Sequence, residues 1–370
     1  MAKLVSTLLR VVNIFLVALY LLVCLIPFLP TGKYWMVALL GLVFPFLFFG
    51  VLAFLILWSI ARSKWAFLSL IALILSWKQI SVIFGFHSKK FTIAKNDETL
   101  RVLSWNLSAW GESSKSRSAP NCDQQMTTLI AAQQPDVLCL QEFYDRAGVT
   151  RGYSMVRILQ NMGFQYAYFV RTTIKKTNYS TGVAILSKYP IADTAKFSYG
   201  ENDYAEHLIF ADIFFQGQKV RVFTTHLQSV RFEGQEYSTL RKIENPDESR
   251  LKGSRTVVNK LKVGYHYRGS EADLANEKIR ESPYPAIVCG DFNDVPNSYT
   301  YFKIKDDLQD AFLKKGNGIG RTFRYLSPTL RIDYILADKK FKVEQFNRII
   351  APYSDHYPIV ADLTLPGTAP

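Results

Sequence analysis

Residues 1–86 contain no Asp or Glu at all, against six basic side chains: Lys3, Arg10, Lys33, Arg62, Lys64 and Lys78. A segment this apolar and acid-free does not make the mixed-charge surface of a domain that folds in water. It divides into three apolar runs. VVNIFLVALYLLVCLIPFLP (11–30) and YWMVALLGLVFPFLFFGVLAFLILW (34–58) each reach the ~20 residues that span a hydrocarbon core as a helix. The third, WAFLSLIALILSW, is interrupted by Lys78 and continues as KQISVIFGF. It reads as a helix over 65–85, with Trp77 and Lys78 anchored at the interface. Leu-Pro-Thr-Gly-Lys after the first run is not a small-residue cleavage site, which favours a retained anchor over a signal peptide. The expectation is a multi-pass protein with the lipid bilayer as partner. Lys3 and Arg10 favour a cytoplasmic N-terminus. Three crossings would then make the remainder extracytoplasmic, while Lys78, Lys89 and Lys90 argue the other way.

Beyond residue 86 the character changes. The other 38 basic residues meet all 31 acids, an excess of +7. A linker at 87–97 and a globular body at 98–366 are expected. The four cysteines show no paired spacing. Cys24 lies in the first apolar run and Cys122 in a polar loop, while Cys139 and Cys289 sit in strand-like runs as small hydrophobes. TLRVLSWNLS reads as a strand ending at Asn106 and DVLCLQEF as a buried strand ending at Glu142. MTTLIAAQQPD and RGYSMVRILQNMGF read as helices. The charge-rich stretch 231–282 contains two helical pieces, the second with Ala272, Ala275 and Ile279 on one side. Strands and helices in mixed order imply an α+β body with two packed sheets.

Seven polar positions share one placement, at the end of an apolar strand or at its mouth. Asn106 follows VLSW, Glu142 follows VLCLQ, His226 follows VFTT, and Asp291 and Asn293 follow AIVCG. Asp355 and His356 precede YPIVADL. Singly, each has an ordinary explanation as a cap, a turn or a structural histidine. Asp333, inside TLRIDYIL, is different: an acid buried in an apolar run needs a cationic partner.

WNLSAW, QPDVLCLQE, TTHLQS, CGDFND, RIDYIL and SDHYPI stand in this order over about 260 residues. Together they resemble the endonuclease/exonuclease/phosphatase family, which includes deoxyribonucleases, abasic-site endonucleases, inositol-polyphosphate phosphatases and neutral sphingomyelinases. The resemblance covers the body and not the front. It implies a four-layer α/β/β/α sandwich, here preceded by about three transmembrane helices. It also implies Mg²⁺-dependent phosphoester hydrolysis, with Mn²⁺ able to replace Mg²⁺. On the matching positions it implies a metal site with Glu142 as principal ligand, Asn106 contributing an amide oxygen and Asp355 near the metal. Asp291 would activate or orient the attacking water, and Asn293 would hold Asp291 or a phosphate oxygen. His356, paired with Asp333, would stabilise the phosphorane or act as base, and His226 would contact the phosphate. The chain departs from abasic-site endonucleases at Ser108, where they carry an acid, and at His226, where they carry a tyrosine.

The function expected is a membrane-anchored phosphoesterase acting on an anionic phosphodiester of lipid or nucleic acid. Alternatives are a non-specific endonuclease, a phosphomonoesterase, or an inactive membrane-bound binding module. Arg171, Lys175 and Lys176 form a small basic cluster, but no aromatic-basic motif for reading bases is present. Sequence-specific nucleic-acid recognition is not expected.

Overall fold

The computed structural model describes residues 2–87, 90–111, 121–145, 154–173, 180–200, 206–229, 248–325 and 327–365. Lys89, Lys175, Lys176, residues 231–247 and residue 366 lie outside them. Two compact units result. One is Met1–Ile83 with Gln228–Ser270 and Val295–Lys303; the other is Phe84–Leu227 with Glu271–Asp294 and Ile304–Pro370.

Among the described residues of the second unit fourteen stretches form strands: β1 (Gly85–Phe86), β2 (Leu100–Asn106), β3 (Val137–Tyr144), β4 (Tyr166–Thr173), β5 (Ser180–Ser187), β6 (Ile191–Ser198), β7 (His207–Phe215), β8 (Gln218–His226), β9 (Ala286–Asp291), β10 (Gln309–Asp310), β11 (Asn317–Gly318), β12 (Asp333–Ala337), β13 (Lys342–Arg348) and β14 (Ile359–Thr364). Two six-stranded sheets have the orders β13-β14-β2-β3-β5-β4 and β10-β12-β9-β8-β7-β6. Val102, Cys139, Ile185 and Ala361 of the first sheet share one core with Ala211, Val222, Cys289 and Ile335 of the second. The outward face of the first sheet, with Leu103, Trp105, Leu138 and Leu140, packs on Met126, Ile130, Met155 and Leu159. Those four come from helices Cys122–Gln133 and Met155–Asn161. On the second sheet, Lys278 of helix Glu248–Arg280 lies over the Phe197 ring of β6. The expected Ala272, Ala275 and Ile279 are among the helix's buried positions, with Tyr265, Arg268, Glu271 and Asn276. Burial on both faces explains why β2, β3 and β9 are nearly continuous apolar runs.

Strand direction gathers the polar residues at one end. β2 and β3 are parallel, with Asn106 opposite Gln141. β8 and β9 are also parallel, with His226 opposite Asp291. β12 runs antiparallel to β9 and places Asp333 opposite Asp291. β14 runs antiparallel to β2, starting with Ile359 opposite Ser104. The ends of four strands and the starts of two therefore meet.

The expected linker is tied down by the buried Arg101. Its guanidinium donates to both Asp362 oxygens at 2.6 and 2.7 Å and to the carbonyls of Ile93 and Gln133.

In the first unit the front forms helices Ala2–Cys24, Thr31–Leu39, Phe44–Ile60, Ala66–Leu75 and Trp77–Ile80. Two segments, Lys3–Phe28 and Thr31–Ile60, are long and apolar enough to cross a membrane. Within the expected third span over 65–85 the apolar helix has 10 residues, about 15 Å; Ser76, which bonds to Tyr20 and to the Leu73 carbonyl, separates it from the helical turn Trp77–Ile80. Further polar contacts join the helices. Ser69 donates to Asn13, and Gln79 donates to the Cys24 carbonyl.

Asp362→Asn leaves the buried Arg101 without its anion and is expected to destabilise the protein by about 3–5 kcal/mol, read as a lowered urea midpoint of the full chain in detergent.

Candidate active site

Asp291, at the end of β9 and 1 % exposed, is the centre on which the expected residues converge. One oxygen accepts from the Asn293 backbone N–H at 2.8 Å. The other accepts from Asn106 Nδ2 at 3.0 Å and lies 3.7 Å from His226 Nε2 and 3.6 Å from His356 Nε2. Each imidazole has a second carboxylate behind it. His356 Nδ1 donates to Asp333 at 2.9 Å, and His226 Nδ1 lies 3.4 Å from Glu206. Asp333 thus has the cationic partner that its burial requires.

The local backbone explains how these groups are held. His356 is fixed by Ser354, whose hydroxyl accepts from its N–H and donates to the Asn106 carbonyl, and by Trp105, whose indole N–H donates to the His356 carbonyl. The Phe323 ring meets the imidazole edge-on at 5.0 Å. Asn293 has φ +52° and its side-chain amide donates to the Leu227 carbonyl, so it is the Asn293 backbone that holds Asp291. Asp355 is half-buried at the rim, with one oxygen 3.2 Å from the Ser354 hydroxyl.

Glu142 does not end its strand, as the sequence suggested. β3 continues to Tyr144, and its pairing with β5 shifts register between Leu140 and Phe143. Glu142 sits in that bulge with φ +46°, a left-handed conformation costing roughly 1–3 kcal/mol for a residue with a Cβ. Bulges re-aim side chains beside active sites, and here the result is a carboxylate 30 % exposed among buried neighbours. Its partners among the described residues are Asn106 Nδ2 at 3.4 Å and His226 Nε2 at 3.9 Å. Asn106 presents its nitrogen to both carboxylates because its oxygen accepts from the Ser108 N–H.

Charge follows from these neighbours. Burial pushes the Asp291 carboxyl up to about 6; His356 and His226 oppose this, while Asp333 adds to it. Burial alone would lower His226, but Glu206, Asp291 and Glu142 reverse that and raise it to about 9. Burial likewise works against a charged His356, and Asp333 and Asp291 outweigh it, holding the ring well above its usual 6.5. At neutral pH an ionised Asp291 therefore stands between two imidazolium rings.

Asp291, Asp333 and His356 are close enough to suggest a metal cluster. Both nitrogens of His356 face carboxylates, and an imidazolium has no lone pair for a metal. A hard divalent cation fits Glu142 better: it is an oxygen ligand, partly open, with no lysine or arginine paired to it among the described residues. Glu206 was missed in the sequence. It precedes β7, and the register Leu208–Thr225 brings it to His226; no local motif marks it.

A buried acid–imidazole array beside an open carboxylate defines a phosphoester hydrolase. The chain belongs to the endonuclease/exonuclease/phosphatase family, whose pattern matches residues 103–356, and enzymes of this family typically depend on divalent metals. Residues 6–83 match a separate family described as a domain of unknown function (DUF8431). No curated protein matches the chain. Among solved structures, an endonuclease/exonuclease/phosphatase from Beutenbergia cavernae DSM 12333 is 21 % identical with a TM-score of 0.54, over 73 % of this chain and 72 % of that one. The human Nocturnin catalytic domain with bound sulfate is 18 % identical with a TM-score of 0.49, over 73 % and 96 %. A family protein from Leptotrichia buccalis C-1013-b is 18 % identical with a TM-score of 0.49, over 71 % and 99 %.

Replacing Asp333 tests the array. His356 has a folded pKa raised above 6.5, so the stability it contributes is fully present below 6.5 and is lost as pH rises through the folded value. Asp333→Asn is expected to bring the His356 titration down, read by histidine NMR. The stability gap to wild type should be widest near pH 6 and close on the alkaline side.

Proposed function

We propose that the chain is a membrane-anchored phosphodiesterase that uses Mg²⁺, or Mn²⁺ in its place, to hydrolyse an anionic phosphodiester of lipid or nucleic acid. The observation that carries this reading is the ionised Asp291 held between two imidazoles, with Glu142 open beside it. Glu142, with Asn106 and Asp355 alongside, would hold the cation, which would supply charge neutralisation at the non-bridging phosphate oxygens. Asp291 is the base, since His356 and His226 are both held protonated. It takes the proton of the attacking water as oxygen bonds to phosphorus. His356, oriented by Asp333, meets the negative charge that builds on the phosphoryl oxygens. His226 Nε2 is buried and has no hydrogen-bond partner among the described residues. It donates to the phosphate and passes its proton to the leaving oxygen. Asn293 keeps Asp291 in place through its backbone N–H. With Asp291 at about 6, activity is expected to fall as pH drops through that value.

Support for the anchor comes from the exposed apolar surface of the front. Only 33 % and 22 % of its two long apolar windows are buried in the protein, and Phe15 and Ile60 are 71 % and 79 % exposed. A lipid is the substrate such an anchor favours. Two crossings, rather than three, return the body to the side of the N-terminus, and the positive-inside pattern of Lys3 and Arg10 makes that side cytoplasmic. This replaces the extracytoplasmic expectation.

Glu142→Ala and His356→Ala are each expected to lower metal-dependent hydrolysis of bis-p-nitrophenyl phosphate by roughly 10³-fold or more; full activity in either variant overturns the assignment. Orientation is read by protease protection. A body on the cytoplasmic side resists protease added to intact cells and is cut in inverted vesicles.

A further inference from the structure

A second cavity, of about 460 Å³, opens on the body where the chain leaves the apolar front. His87, Lys90, Lys315 and Arg348 line it over the rings of Phe312 and Phe346, and no carboxylate is among its walls. Its walls are built by backbone pairing. β1 pairs antiparallel with β11, and the His87 N–H donates to the Gly316 carbonyl at 3.0 Å. Gly316 and Gly320 keep it open, because a Cβ on either would overlap Phe312. At Gly320, φ of +72° adds a conformational reason for glycine.

The cations here meet little anionic charge: Lys315 acts on Glu344 through space, without a bond to it among the described residues. Among the described residues, none of Lys90, Lys315 and Arg348 has a carboxylate partner. Arg348 donates only to the Arg321 carbonyl. Burial pulls Arg348 below its usual range and the neighbouring Arg321 adds to the effect, opposed only by Tyr357. The nearby acid is Glu344, and it is bonded to Lys342 and Thr364. Like charges gathered in a concave, partly apolar site raise the local potential and select an anion. The planar guanidinium adds the fork that suits phosphate oxygens.

We infer that this cavity is a binding site for a phosphate group, held by Lys90, Lys315 and Arg348. The site is separate from the Asp291 centre and does not depend on the reading of it. Arg348 pairs with Ile359, three residues after His356, so the two sites share one end of the first sheet. The phosphate has two possible sources, an anionic lipid headgroup or a soluble phosphate, and both present the same dianionic oxygens to these cations.

The test uses the full chain in detergent with EDTA, so that binding is read without the metal-dependent reaction. Lys315→Gln and Lys90→Gln/Lys315→Gln are the variants, since neither lysine makes a hydrogen bond among the described residues. Inorganic phosphate is titrated by calorimetry, and retention of phosphatidic acid against phosphatidylcholine is read by native mass spectrometry. Phosphate affinity is expected to weaken roughly tenfold in Lys315→Gln and further in the double variant, at unchanged Tm. Selective retention of phosphatidic acid that is lost in the variants supports the site with lipid as its source. Weakened phosphate binding without lipid retention supports it with soluble phosphate as its source. Equal binding by wild type and the double variant, or no binding of either probe by wild type, overturns the inference.

Discussion

A carboxylate at the closed end of two sheets is the constraint around which the body is arranged. Asp291 is buried where its charge is disfavoured, and the chain answers with His226, His356 and Asn106. Each imidazole is then itself buried and needs an anion, which Glu206 and Asp333 provide. The outcome is a chain of alternating charges that is stable only if all its members are present, because removing one partner strands a buried charge. Strand directions follow the same demand. The parallel pairs β2–β3 and β8–β9 bring their ends to one edge, and antiparallel β12 and β14 begin there.

Glu142 is the exception that gives the array access to solvent. Asp291, Asp333 and Glu206 are buried, while the β3 bulge turns Glu142 outward at the cost of a left-handed backbone. An array of acids and imidazoles without such an opening would be a structural network. With it, charge can be exchanged with a cation and a phosphate. Left-handed backbone at Glu142 thus coincides with the exposure the chemistry needs, as it does at Asn293 with the hold on Asp291.

The front follows a different logic. Its apolar surface is mostly uncovered by the protein, and its few internal polar contacts, such as Asn13 with Ser69 and Gln79 with Cys24, join helix to helix. Polar pairs of this kind specify which helices meet where the surroundings are apolar and burial gives no preference. Grouping these helices with Gln228–Ser270 and Val295–Lys303 was not visible in the sequence. Helix Glu248–Arg280 reads there as two helical pieces of a charge-rich stretch, and nothing in its local pattern names its neighbours.

What the sequence determined by itself was local: apolar runs, the strand endings, and the residue types at their mouths. Asp333 could be read as needing a cation because an unpaired acid in an apolar run is costly wherever the strand goes. Three features needed the tertiary structure. Glu206 reaches His226 only through the β7–β8 register. Asn106 turns its nitrogen to the carboxylates because the Ser108 amide claims its oxygen. The helix of the third apolar run is interrupted after 10 residues at Ser76, which bonds to Tyr20. In each case the deciding partner is distant in sequence or set by backbone geometry. Periodicity and residue type encode burial, but they do not encode which buried group faces which.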